Sequence, residues 1–321
     1  MREGLFIKKN KDRWEKVQQE VLTDADETAK NFIELTDDLA YAKTYYPHSR
    51  TTQYINSLAA KIYLGIYENR KEDSSRILTF WKYDVPEVIY KYRRTILFCL
   101  MVFLVFFAVG FFSSLHDETF VSDALGEDYV AMTEKNIAEG NPFGVYRSGN
   151  SFFMWLGIMI NNIMVSLFYF VKGILFGILS LTELIKEAIR LGAFEHMFYA
   201  KGLGAQAVIT ILIHGMLELT AIIIACAAGV IMGKSMLFPG TVTRLDALRT
   251  GVKDGLKIVI GLMPVFMMAA FFEGFVTRHY QMPLLLSLVL LLASGTFVAG
   301  YFVIYPALLH RKAQKQIPAY A

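Results

Sequence analysis

Apolar and polar positions are divided unevenly along this chain. From residue 1 to 94 charges alternate with apolar positions, whereas most of the remainder consists of long apolar runs. In the first part Trp14, Val17, Val21 and Leu22 recur at helical spacing in "DRWEKVQQEVL". Phe32, Leu35, Leu39 and Ala42 repeat the pattern in a second stretch that Pro47 ends, and Tyr54, Leu58, Ile62 and Tyr63 mark a third helix. The next stretch, "SRILTFWKYDVPEVIYKYRR", mixes aromatic and basic residues, a composition that suits a helix lying at a membrane interface. No strand pattern, glycine-rich nucleotide loop or internal repeat competes with this helical reading.

A bilayer-crossing helix needs roughly 20 mostly apolar residues. Five segments qualify: 95–115, 151–171, 205–233, 258–276 and 284–305. A sixth, 173–199, begins apolar and then carries Lys186, Glu187 and Arg190. Basic residues at Lys91–Arg94, across 234–257 and in the tail at Arg311, Lys312 and Lys315 predict that these segments are cytoplasmic. The segment 114–150, with seven acids against Lys135 and Arg147, is expected outside. With both ends inside, the number of crossings must be even. The expectation is therefore an all-α polytopic membrane protein of about six membrane segments, the third irregular or re-entrant. The alternative makes 173–199 an interfacial helix at the cost of one loop that breaks the charge rule. The expected organisation is a cytoplasmic helical domain over 1–94, a bundle over 95–310 with its outer loop, and a basic tail over 311–321.

Composition agrees with a membrane protein. Of 321 residues, 55% are hydrophobic and 19% charged, against about 45–50% and about 25% in soluble domains. Cys99 and Cys226 both lie in apolar runs, which excludes a disulfide scaffold and a thiolate zinc site and leaves buried thiols. The start, "MREGLFIKKNKDRWEK", has no apolar core and does not read as a signal peptide, and no lipidation site is marked.

The candidate chemistry lies inside the apolar runs. His214 and Glu218 are four residues apart and share one helix face. Glu273 ends "MPVFMMAAFFEGF", where Pro264 can bend the helix, and Asn161 and Asn162 sit in the middle of the second span. Three readings compete. Interhelical hydrogen bonding, at about 0.6–2 kcal/mol per contact, comes first. A proton or solute path comes second, because intramembrane ionisable groups are functional candidates by default. A metal site, from an H-x-x-x-E pair plus one carboxylate, comes last, since the HExxH signature is absent. No metal or other cofactor is expected. Gly229 with Gly233, and Gly173 with Gly177, permit close helix approach; such pairs serve a homodimer or pack helices within one chain. After Pro239-Gly240, Thr243 is placed to cap a basic amphipathic helix, "RLDALRTGVKDGLK", suited to the inner leaflet.

The ordered set "INNIMVSLFYFVKGILFG", "IHGMLELTAIIIACAAGVIMG", "FPG", "TRLDAL" and "FFEGFVTR" resembles the stage II sporulation protein M family of multi-pass membrane proteins. The stretch "NFIELTDDLAYAKTYYPHSRTTQYINSLAAKIY" resembles the cytoplasmic extension of that family's long form. The resemblance maps the family's Asn pair, H-G-x-x-E and E-G-F onto Asn161, Asn162, His214, Gly215, Glu218, Glu273 and Gly274. The third segment departs from it, with "KEAIRLG" where the family is generally apolar. The family's namesake acts as a scaffold that anchors cell-wall hydrolases at the septal membrane. Together with the soluble helical domain, the aromatic-basic interfacial helix and the acidic outer loop as docking surfaces, this makes the leading expectation a non-enzymatic membrane scaffold or assembly subunit in the cell inner membrane, with lipids and other envelope or membrane proteins as partners and no nucleic acid. A transporter, channel or lipid-handling protein using His214, Glu218 and Glu273 is the alternative. An intramembrane hydrolase lacks a nucleophile, base and orienting group.

Overall fold

A computed structural model describes residues 2–19, 25–68, 75–144, 150–277 and 282–315. All regular structure among these residues is helical. The chain forms two compact units, Met1–Arg76 and Ile77–Ala321.

The first unit contains α1 (Glu3–Gln19), α2 (Ala25–Tyr45) and α3 (Arg50–Glu68). Its core joins Phe6, Trp14 and Val17 to Leu35 and Ala42, and to Ile55, Leu58, Ala59 and Ile62. The Trp14 indole is buried, and its Nε1 donates to Asp38 Oδ2 at 2.8 Å, so its one polar atom is satisfied. Arg13 pairs with Glu34 at 2.9 Å and also with Asp38. Glu3 accepts from Ser49 and, at 2.8 Å, from Thr51, holding the start of α1 to the α2–α3 turn. Two details differ from the sequence reading. α1 begins at Glu3 because Phe6 extends the apolar face toward the start. Tyr63 is 50% exposed, since the buried stripe of α3 follows 55, 58, 59 and 62 instead. Val21 and Leu22 lie outside the described residues.

The second unit opens with α4 (Ser75–Thr79), a π-helical turn at Phe80–Asp84, and α5 (Val85–Lys91). Val85, Val88 and Ile89 are buried in the same core as the long apolar helices, so this stretch packs with the bundle. Polar contacts fasten it at several points. Trp81 Nε1 donates to the Gly261 carbonyl at 3.1 Å, Lys91 pairs with Asp254 at 2.6 Å, and Lys257 pairs with Asp84 at 3.2 Å. From the other side, Tyr301 donates to the Trp81 carbonyl and Tyr305 to the Lys82 carbonyl.

Then come α6 (Arg93–His116), α7 (Glu118–Leu125), α8 (Glu127–Ala138), α9 (Ser151–Lys172), α10 (Ile178–Ala200), α11 (Gly204–Leu237), α12 (Arg244–Phe271), α13 (Leu284–Val298) and α14 (Tyr305–Lys315). π-Helical turns at Phe272–Val276 and Ala299–Ile304 extend α12 and join α13 to α14. Five helical stretches are long and apolar enough to cross a membrane: Arg93–His116, Ser151–Lys172, Gly204–Leu237, Arg244–Val276 and Leu284–Lys315. α11 is the centre of this bundle: 61% of its most apolar stretch is buried, against 17% for α6.

The expected inner-leaflet helix and the span at 258–276 form one continuous helix, because nothing between Lys257 and Ile258 breaks it. Thr243 caps that helix by accepting from the Asp246 N–H at 3.2 Å. The acidic segment after α6 is helical, with Val121, Leu125 and Tyr129 packed near Phe143, Phe198 and Ala207. Arg147 and residues 316–321 of the basic tail lie outside the described residues.

α10 is helical and falls outside the set of five. It packs closely on α6 through a glycine of each helix: a Cβ at Gly110 of α6 would strike the Ile189 backbone, and one at Gly192 of α10 would strike the Phe107 carbonyl. The charges in its first half are paired, Glu183 with Lys172 at 3.0 Å and Lys186 at 3.3 Å and Glu187 with Arg190 at 3.8 Å, whereas Glu195 is buried further along. The turn into α10 uses left-handed backbone at Phe176 and Gly177. There the glycine pairs meet. A Cβ at Gly173 would collide with the Gly229 backbone, and one at Gly233 with the Gly177 backbone. These four glycines therefore pack helices within one chain.

Candidate functional site: a polar cluster inside the bundle

From Leu219 to Gly233, α11 is an unbroken run without Asp, Glu, Lys, Arg or His, and Ala221 through Gly229 are all buried. The helix is apolar on every side there, as a helix surrounded by other helices must be. Its departure from that pattern is His214 and Glu218. His214 is buried at 5% exposure, and Glu218 one turn later is partly buried.

The next helix supplies the third group. The last apolar residues of α12 run into the π-helical turn Phe272–Val276, which carries Glu273. Such wide turns inside helices are frequent at functional sites because they re-aim side chains. Here the turn sits against α9, where a Cβ at Gly274 would approach Trp155 at 3.2 Å. One ligand atom from each of His214, Glu218 and Glu273 lies within 4.8 Å of the others. Thr277, fully buried just after the turn, fixes the imidazole: Nδ1 of His214 is 3.0 Å from its Oγ1.

The second span contributes one of its two asparagines. Asn162 is 5% exposed and sits beside Glu218, with its buried Nδ2 near that carboxyl but outside full hydrogen-bond geometry. Asn161 is exposed on the outer face and reaches Asn162 Oδ1 only at 3.5 Å. Neighbouring helix positions point about 100° apart, so one of the pair faces inward. Gly215 meets only Ile211 and Leu219 of its own helix, so it makes room along α11 rather than between helices.

Two contributors were missed by sequence reasoning. Thr277 follows the E-G-F motif by two residues, and a hydroxyl placed there was the available signal. Asp254, buried on α12, takes Lys91 and also Tyr92, whose OH donates at 2.9 Å. No local pattern marks that contact, because its partners are 162 and 163 positions away.

These features define a polytopic α-helical membrane protein with a polar cluster held between α9, α11 and the end of α12. The chain belongs to the family described as Stage II sporulation protein M, which matches residues 97–278. Residues 4–68 match a family described as Domain of unknown function (DUF8413). No curated protein and no solved structure matches the chain.

Proposed function

We propose that the protein is a non-enzymatic scaffold or assembly subunit of a cell-envelope complex, in which the buried polar cluster joins helices. In this reading the chain lies in the cytoplasmic membrane with both termini in the cytoplasm, the side its basic residues favour, and α10, packed closely along α6, makes the sixth membrane segment that this parity needs. The first unit is the docking module for other envelope proteins, and the bundle is its anchor.

The observation that carries the proposal is the apolar packing of α11 against α12 on one side of the cluster. Glu218 and Lys234 are sixteen positions apart on α11, about 24 Å along a helix axis. Between them α11 offers no charged residue or imidazole, its alanines are buried, and Gly229 and Gly233 sit against neighbouring backbones. The facing stretch of α12, Ile258–Phe271, likewise holds no such group. A proton or solute path needs polar groups along its length, and this packing supports a static joint. The ion-path reading keeps one observation in its favour, the cluster itself.

The test is assembly in native membranes. The full chain is expected to migrate, after gentle solubilisation, in a complex larger than itself. A chain lacking residues 1–76 is expected to insert and to migrate alone. Entry of the truncated chain into the same complex, or a full chain that is always monomeric, contradicts the proposal.

A further inference from the structure

We infer that His214, Glu218 and Glu273 form a binding site for one divalent transition-metal ion of the zinc type, cross-linking α11 to the end of α12. Three protein donors from two elements converge, with their ligand atoms within 4.8 Å of one another. In a tetrahedral zinc site with bonds of about 2.0–2.2 Å, neighbouring ligand atoms lie roughly 3.3–3.6 Å apart. Small side-chain rotations therefore close the site without moving a helix. One imidazole and two carboxylates suit zinc-like ions, which take three protein ligands and leave a fourth position open. Calcium and magnesium require about six or more oxygen ligands, which this set does not offer.

Two further groups stand where the outer shell of a metal site belongs. Metal-bound imidazoles are oriented through their other ring nitrogen, and ligating carboxylates accept outer hydrogen bonds. Thr277 holds the His214 ring through Nδ1 at 3.0 Å. Asn162, 5% exposed, presents its Nδ2 toward Glu218, close enough to act on that carboxyl but short of a fully formed hydrogen bond. A bound ion gives that amide a purpose, because a Glu218 carboxylate drawn to the metal turns its second oxygen toward a fixed donor. Charge points the same way. A dication with two carboxylates and a neutral imidazole is neutral overall, whereas uncompensated charge within a membrane is costly. The π-helical turn carrying Glu273 is then the device that aims the third ligand.

The site is independent of whether the chain acts as a scaffold. The test uses the full chain in detergent, stripped with a chelator and titrated with Co2+ and then Zn2+. One Co2+ per chain, giving visible ligand-field bands that Zn2+ removes, is the expected result. Glu273→Gln and Glu218→Gln are expected to lose those bands, and Asn162→Ala to weaken binding by about 10–100-fold, as outer-shell losses do. Should the ligand variants fail to fold, Cu2+ loaded into the unmodified chain provides the second measurement. Its electron paramagnetic resonance spectrum is expected to show nitrogen coupling from a single imidazole. Lack of saturable binding by the unmodified chain, undiminished binding in both Gln variants, or bound Cu2+ without imidazole coupling overturns the inference.

Discussion

Both units bury an apolar core, and they differ in what they expose and in the polar groups buried within it. In Met1–Arg76 the interior is apolar, and the polar contacts, Arg13 with Glu34 and Glu3 with Thr51, lie at the edge. In Ile77–Ala321 large apolar side chains such as Leu97, Phe98, Leu104 and Leu285 are exposed, while His214 and Asn162 are buried and Glu218 and Glu273 lie partly buried beside them. The same helix supports both arrangements because each face is chosen by its solvent. Water rewards an apolar core. Hydrocarbon gives helices no such driving force, so association depends on small-residue contact and polar bridges. The first unit should therefore respond most to lost apolar volume, and the bundle most to added volume and lost polar partners.

The largest effect is expected from Trp14→Ala. It removes the buried indole and leaves Asp38 without that donor, at about 3–5 kcal/mol. Proteolysis of the first unit should rise sharply while the bundle stays resistant; equal sensitivity in both units would break the comparison. Next is Gly229→Val, which drives a side chain into the Tyr169 backbone and Ser180. A cost of about 1–3 kcal/mol or more is expected, read as a lower melting temperature of the bundle in detergent with the first unit unaffected. A melting temperature within error of the unmodified chain contradicts the glycine contact.

Much of this contrast is legible in the sequence. The buried stripe of α2 and the five long apolar helices follow from periodicity and length alone, since one register suits each solvent. The glycine pairs were legible as close contacts, but not which helices they join. The π-helical turns were not legible, because i→i+5 backbone uses the same residues as a helix. The choice between Asn161 and Asn162 depends on helix rotation, which neighbours set. The ties of Lys91 and Tyr92 to Asp254 are tertiary, and no spacing announces them.

Smaller effects test the edges. Asp254→Asn removes the charge paired with Lys91, whose side chain is 52% exposed. Solvent screening limits the loss to about 1 kcal/mol or less, seen as earlier release of the α5 segment in hydrogen exchange. Unchanged exchange there would show that apolar packing alone holds α5.

The smallest effect concerns pH. Hydrogen bonds from Ser49 and then Thr51 hold the Glu3 carboxyl below the usual carboxylate range. A group depressed in the folded state contributes stability above its unfolded value and loses it as pH falls through the folded value. Acid should therefore loosen the start of α1 in the unmodified chain. Glu3→Gln should remove that part of the pH dependence, and an identical profile in the variant contradicts it.

The central claim is that the cluster of His214, Glu218 and Glu273 is a fixed joint within an apolar bundle. Proton flux into liposomes carrying the purified full chain tests this most directly, under an imposed potential and pH gradient. Flux no greater than in empty liposomes is predicted, both for the unmodified chain and for Glu218→Gln. Flux that depends on the chain and disappears in Glu218→Gln would contradict the account.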